Sequence, residues 1–210
     1  MSYEEIAKHY ETCLEKYKEG CKAVDWPNQE DLNKRYRVML DLARNDINGK
    51  ASLLDFGCGL GGFCKYYIAN SDAYFNYTGV DISRKFIEAC KQNFPDWPSC
   101  FIQLDILYKD LPRSYDYIVC NGVFTEKLTL SQTEMFDFFS KVLTRLWEKA
   151  NKGLAFNIMD PSKVDWRRDD LFFLNYSQVT SFIKKQLNCE NYVLRCDYGL
   201  REYTVYLYKC

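Results

Sequence analysis

The sequence predicts an α/β protein: a mostly parallel sheet with helices on both faces and an antiparallel hairpin at its end. Three observations carry this. From Ala51 onward short β-rich runs alternate with amphipathic helical stretches, the pattern of a parallel sheet whose faces are covered. An apolar run ending in an acid, Leu53-Leu54-Asp55, leads into four glycines within six positions, Gly57, Gly59, Gly61 and Gly62, and then a helix-compatible stretch. The tail changes rhythm, with β-rich segments at 191–196 and 202–208 flanking Asp197-Tyr198-Gly199, a spacing that suits a hairpin.

The elements follow in order. Ser2 and Glu5 have the spacing of a capping box, and behind them Ile6, Tyr10, Cys13, Leu14 and Tyr17 recur on one helical face up to about Gly20. Pro27 and Asn28 open a second helix, with Leu32, Tyr36, Met39, Leu40, Ala43 and Ile47 on one side. Both precede the first strand, so residues 1–48 are read as a helical cover of the same domain and 49–210 as its core. Strands are expected at 52–56, 77–80, 100–104, 117–120 and 154–158. Ser83 caps a helix carrying Phe86, Ile87, Cys90 and Phe94; Ser131 and Glu134 form a second capping box, leading into a helix expected to stop at Asn151-Lys152-Gly153. A last helix is expected over 177–187.

Composition narrows the classes. A chain of 210 residues suits one domain that buries roughly 70% of its unfolded surface without disulfide or metal staples. The net charge of −1 offers no broad basic field for a phosphate backbone, which argues against polymeric nucleic acid. The ten cysteines show no C-x-x-C pairing, and with a single histidine, His9, the partners of a structural zinc site are missing; the cysteines are read as reduced, mostly buried small hydrophobes and no metal is expected. No apolar stretch suits a signal peptide or a membrane span, so the cytoplasm is the expected compartment.

The glycine loop carries the functional signal. A glycine string alone is shared by many nucleotide binders and by plain tight turns. The acid sets a direction, because Asp55 places negative charge beside the helix start, where a dinucleotide loop must leave room for a pyrophosphate. Such a loop suits a cation. Asp81 lies about 20 residues beyond the glycines, where an acid can accept ribose hydroxyls. Asp55, Asp81, Asp105 and Asn121 all fall at predicted carboxyl ends of strands, so they converge on one crevice.

The segments LLDFGCGLGGF at 53–63, YTGVDIS at 77–83, FIQLDI at 101–106 and YDYIVCNGVF at 115–124 resemble the class I S-adenosylmethionine (SAM)-dependent methyltransferases, in order and over roughly residue 51 to the C-terminus. The resemblance implies a Rossmann-like three-layer sandwich, with a mostly parallel seven-stranded sheet and a C-terminal antiparallel strand. It also implies SAM as cofactor and S-adenosylhomocysteine (SAH) as product. Carried over residue by residue, it gives the methionyl part of SAM to Asp55, Gly57 and Gly59, the ribose to Asp81 and the adenine to Asp105, with Cys58, Ile82 and Ile106 beside them. Asn121 falls where the family often places groups touching the methionyl end or the acceptor. The Asn/Asp-Pro-Pro-Tyr/Phe pattern of exocyclic-amine enzymes and the Pro-Cys of cytosine-C5 enzymes are absent here, which points away from base modification.

The implied reaction is methyl transfer to a small-molecule acceptor, with an oxygen nucleophile, an anionic one included, expected. In-line placement does most of the work of such a displacement, since orientation alone supplies roughly 7–11 kcal/mol. The segment 160–170 after the fifth strand reads as a lid, with Arg167 and Arg168 as candidate clamps for an anionic group and Trp166, Phe172 or Phe173 as shields; a solvated charge run is the plain alternative. Val24 to Pro27 reads either as a flap over the cofactor or as a hydrophobic staple. His9 is a candidate proton acceptor, weighed against an ordinary surface histidine. A SAM-binding, non-catalytic partner subunit and a nicotinamide-dependent oxidoreductase are the competing functions; the oligomeric state is left open.

Overall fold

The computed structural model describes residues 3–46, 50–71, 75–164 and 168–210. Helix α1 (Glu4–Tyr17) and helix α2 (Gln29–Leu40) precede the sheet. Strand β1 (Ser52–Phe56), helix α3 (Gly62–Asn70), strand β2 (Asn76–Asp81), helix α4 (Arg84–Asn93), strand β3 (Phe101–Gln103) and strand β4 (Tyr115–Cys120) follow. Helix α5 (Gln132–Lys149), strand β5 (Ala150–Met159), helix α6 (Tyr176–Lys185), strand β6 (Tyr192–Arg195) and strand β7 (Glu202–Tyr208) complete the chain.

The seven strands form one sheet in the order β3-β2-β1-β4-β5-β7-β6. Neighbours from β3 to β5 are parallel, while β7 runs antiparallel to both β5 and β6. The strand order therefore reverses at β1, between β2 and β4, and a crevice opens beyond the carboxyl ends there. The side-chain period of two sends Leu53 and Leu54 to opposite faces. Leu54, Val80, Ile118 and Phe156 pack with α5 and α6 through Phe139, Val142, Val179 and Phe182. Leu53, Tyr77, Val119 and Ala155 pack with α2, α3 and α4 through Tyr36, Phe63, Cys64 and Cys90.

Local signals place several boundaries. The Asn28 side chain accepts from the Asp31 amide at 2.8 Å, starting α2, and Ser131 with Glu134 forms the expected capping box of α5. Ser83 caps α4. Ser2 and Ile47 lie outside the described residues, so the Ser2 cap and that end of the α2 face do too. One expectation fails. Asn151-Lys152-Gly153 does not terminate α5: the helix ends at Lys149 and β5 begins at Ala150, pairing Ala150 with Tyr115 and Gly153 with Tyr117. Ladder bonds to β4 and β7 on both sides of β5 outweigh the local preference for a glycine cap, and Gly153 is extended rather than left-handed. All ten cysteines are free. Among the described residues no helix is long and apolar enough to cross a membrane.

Candidate cofactor and active site

Beyond the carboxyl ends of β1, β2 and β4 lies a cavity of about 910 Å³, within the range of small-molecule and cofactor sites. Its floor is the glycine loop. Gly57 has φ of +76°, and a Cβ there would come within 2.5 Å of Val123, so both the turn and the approach of the β4 loop require glycine. The amides of Gly57 and Cys58 both donate to the Val80 carbonyl, at 2.8 and 3.0 Å, tying the loop to the end of β2.

Asp55 and Asp81 stand at the two strand ends. Asp55 is buried and accepts from the Tyr77 hydroxyl at 2.7 Å. Burial pushes its carboxyl up to about 7, against the Tyr77 bond, and Asp81 nearby adds to the rise. Asp81 accepts from the Gly59 amide at 3.0 Å and from the Ser83 amide at 2.9 Å. Burial again dominates and raises it to about 6, with the Ser83 and Gly59 amides opposing. The Gly59, Ser83 and Ile82 amides take three of the roughly four lone-pair positions of the Asp81 carboxylate and leave it acceptor capacity for a ligand. Asp81 thus shapes the glycine loop and still presents an acceptor to the cavity.

The remaining expected cofactor residues surround the same space. Cys58, Gly59, Ile82, Asp105, Ile106 and Asn121 all line it, as do Asp55, Gly57 and Asp81. Asp105 is already engaged: its oxygens accept from the Leu107 amide at 2.9 Å and from the Tyr3 hydroxyl at 2.7 Å. The Asn121 side-chain oxygen is buried and, among the described residues, bonded to nothing. An unmet acceptor in a polar cavity is costly unless a ligand or water supplies the donor.

The roof comes from the N-terminal segments. Tyr3 just before α1, Ile6, Ala7 and Tyr10 of α1, and Leu32 and Tyr36 of α2 line the cavity. Val24 and Trp26 belong to the wall, the place a flap would take. Trp26 packs so closely on Gly122 that a Cβ there would lie 2.6 Å from its ring, and Arg35 stacks on its other side at 3.9 Å. Arg35 in turn pairs with buried Glu202 at 2.8 Å, Glu202 accepts from Asn157, and Asn157 accepts from the Gly122 amide at 2.7 Å. This chain of contacts ties the roof to β7, β5 and the loop after β4.

The expected catalytic candidates are less central. His9 lies behind the wall, bonded to Asp25 at 2.8 Å, with its neighbour Tyr10 reaching the cavity. Arg168 is already clamped, through Nε and Nη2, onto Asp170 at 2.9 and 2.7 Å. Arg167 and Trp166 lie outside the described residues. Phe172 is not a shield: it is fully buried against Phe139, where the apolar space under α5 outcompetes a surface lid position. Sequence reasoning missed Glu126, a buried acid in the loop after β4 that burial raises to about 7. An acid just past an apolar strand was the available signal. It also missed Arg35 and Glu202, whose pairing spans 167 residues and leaves no local trace.

Comparisons with known proteins agree with this geometry. Residues 54–146 match the family model of a methyltransferase domain. No curated protein sequence matches the chain. Among solved structures, magnesium protoporphyrin IX methyltransferase from Synechocystis with bound SAM superposes with a TM-score of 0.68 at 13% identity, covering 100% of this chain and 98% of that one. A SAM-dependent methyltransferase from Clostridium acetobutylicum gives 0.60 at 12% identity and 98% of each chain, and an N-methyltransferase from Bradyrhizobium japonicum gives 0.59 at 16%, covering 88% and 99%. At these identities the likeness establishes the fold. The domain match takes in the acid-and-glycine loop at the strand reversal, and the fold around it is the one these SAM-dependent methyltransferases share.

Proposed function

We propose that the cavity holds SAM on Asp55, Gly57, Cys58, Gly59, Asp81, Ile82, Asp105, Ile106 and Asn121, and delivers its methyl group to a small, oxygen-bearing acceptor. The observation that carries this is a pair of buried carboxyls, Asp55 and Asp81, that line the cavity at the ends of β1 and β2, raised by burial to about 7 and about 6 with no cation among the causes acting on them from the described residues. SAM brings a sulfonium and an ammonium, and either charge near these groups favours their ionised forms. Asp81 then receives a ribose hydroxyl on its remaining lone pair, and the unmet Asn121 oxygen accepts from a donor at the methionyl end.

A small acceptor is supported by the roof. Tyr3, Tyr10, Val24 and Trp26 line the cavity from the N-terminal segments and narrow the room left for a macromolecular acceptor. Arg168 lies outside the cavity lining and is held by Asp170, so it reaches an anionic oxygen acceptor only by exchanging that carboxylate for the acceptor's. The neighbouring folds include an N-methyltransferase and a carbon methyltransferase, so the fold leaves the attacking atom open and the argument rests on the site. The test is a metabolite screen coupled to SAH release, run beside calorimetric titration with SAM. A carboxylate or hydroxyl acceptor should emerge, with Arg168→Ala raising its KM and leaving the SAM Kd unchanged; turnover confined to amines or carbanions would refute the oxygen assignment.

A further inference from the structure

Just behind the cavity wall, three donors of different chemistry converge. His9 and Cys13 stand one helical turn apart on the same face of α1, with the Cys13 sulfur 3.9 Å from His9 Nε2. Asp25, held in the left-handed region at φ +56°, puts its Oδ2 2.8 Å from the same nitrogen. The three ligand atoms all lie within 4.8 Å of one another. We propose that His9, Cys13 and Asp25 bind a divalent transition-metal cation of the zinc class.

The donor set is one imidazole nitrogen, one sulfur and one carboxylate oxygen, the combination that zinc and cobalt accept and that calcium and magnesium do not. Bonds of about 2.0–2.3 Å to a tetrahedral ion separate ligand atoms by roughly 3.3–3.6 Å. The observed 3.9 and 2.8 Å bracket that separation, so seating an ion requires the sulfur to close slightly and the His9–Asp25 hydrogen bond to open. Three protein ligands leave a fourth position for water or an anion.

A second, independent observation points to a cation here. Glu126 is buried, 6% exposed, and its Oε2 accepts no hydrogen bond among the described residues. The Arg168 guanidinium comes no nearer than 3.5 Å and is spent on Asp170. Both His9 and Asp25 act electrostatically on Glu126, and Asp25 and Glu126 both act on half-buried Tyr10, which lines the cavity. Buried Glu126 and part-exposed Asp25 thus place two carboxyls around His9 with Arg168 as the one cation paired to Glu126, and a divalent ion in the triad adds positive charge to this group. The expectation of no metal rested on paired-cysteine spacing; this triad has none, being joined by a helical turn and a separate loop.

The test uses the full chain after chelator dialysis, titrated with Co²⁺ and then Zn²⁺. One equivalent of cobalt should bind with a thiolate-to-metal charge-transfer band, and zinc should displace it. Cys13→Ser should abolish that band and His9→Gln should weaken uptake, each by more than the about tenfold expected for Glu126→Gln as an outer partner. Cys196→Ser, at an exposed cysteine, should change nothing. Absence of saturable uptake, or a band undiminished in Cys13→Ser, overturns the site. Should Cys13→Ser fail to fold, His9→Gln at its part-exposed position decides alone, with unchanged uptake as the refuting result. A parallel SAM titration reports separately on the cofactor reading.

Discussion

At the scale of single residues, Asp81 does two things at once. It fixes the glycine loop through the Gly59 amide and keeps an acceptor for a ligand. Replacing it with alanine should weaken SAM binding by about 1–3 kcal/mol, the loss expected for charge-assisted hydrogen bonds, measured by calorimetry; Asp81→Asn, which retains one oxygen acceptor, should lose less. Tyr77 supports its neighbour Asp55 through a buried 2.7 Å bond. Tyr77→Phe removes that donor and should destabilise the free protein by about 1 kcal/mol, read from denaturant midpoints, while driving Asp55 further upward. The acids of the loop were legible in the sequence because type and spacing alone mark them. Their protonation was not, because it arises from burial under α1, α2 and the 24–27 turn, which only the folded chain supplies.

At the scale of elements, the buried Arg35–Glu202 pair joins α2 to β7 and supports Trp26 over Gly122. Both side chains are at least nine-tenths buried, 8% and 1% exposed, so removing one partner strands the other. Glu202→Ala should cost about 3–5 kcal/mol, seen as a lower midpoint in chemical denaturation, and should loosen the 24–27 turn so that SAM affinity falls as well. A drop in stability with SAM affinity intact would show that the network braces the sheet alone. The alternation of strands and helices was readable in order, since each element carries its own period and caps. The start of β5 was not: Asn151-Lys152-Gly153 has a helix-ending composition, and only pairing with β4 and β7 makes it strand. The Arg35–Glu202 network was equally hidden, its partners being remote in the chain.

For the whole molecule, the raised acids set the response to pH. Asp55 and Asp81 titrate near 7 and 6 in the folded chain and near about 3.9 when unfolded. Between those values the folded state holds protons that the unfolded state has released, so stability of the free protein should fall as pH rises from about 4 to about 7. A bound cation reverses the preference by favouring the ionised acids. SAM affinity should therefore rise from pH 5 to pH 7.5, while neutral-sulfur SAH should show a shallower slope, both followed by titration calorimetry. The sheet, its strand reversal and the crevice at its carboxyl ends were all expected from the sequence. A helical cover was expected too, but which of its residues line the crevice was not, because that depends on where two N-terminal helices and one turn come to rest.

The most direct measurement is calorimetric titration of the chelator-treated protein with SAM at pH 7.5, wild type beside Asp81→Ala. One saturable site in the wild type, clearly weakened in the variant, is the predicted result. No heat of binding in the wild type, or equal affinity in both proteins, would contradict the assignment of this cavity to SAM.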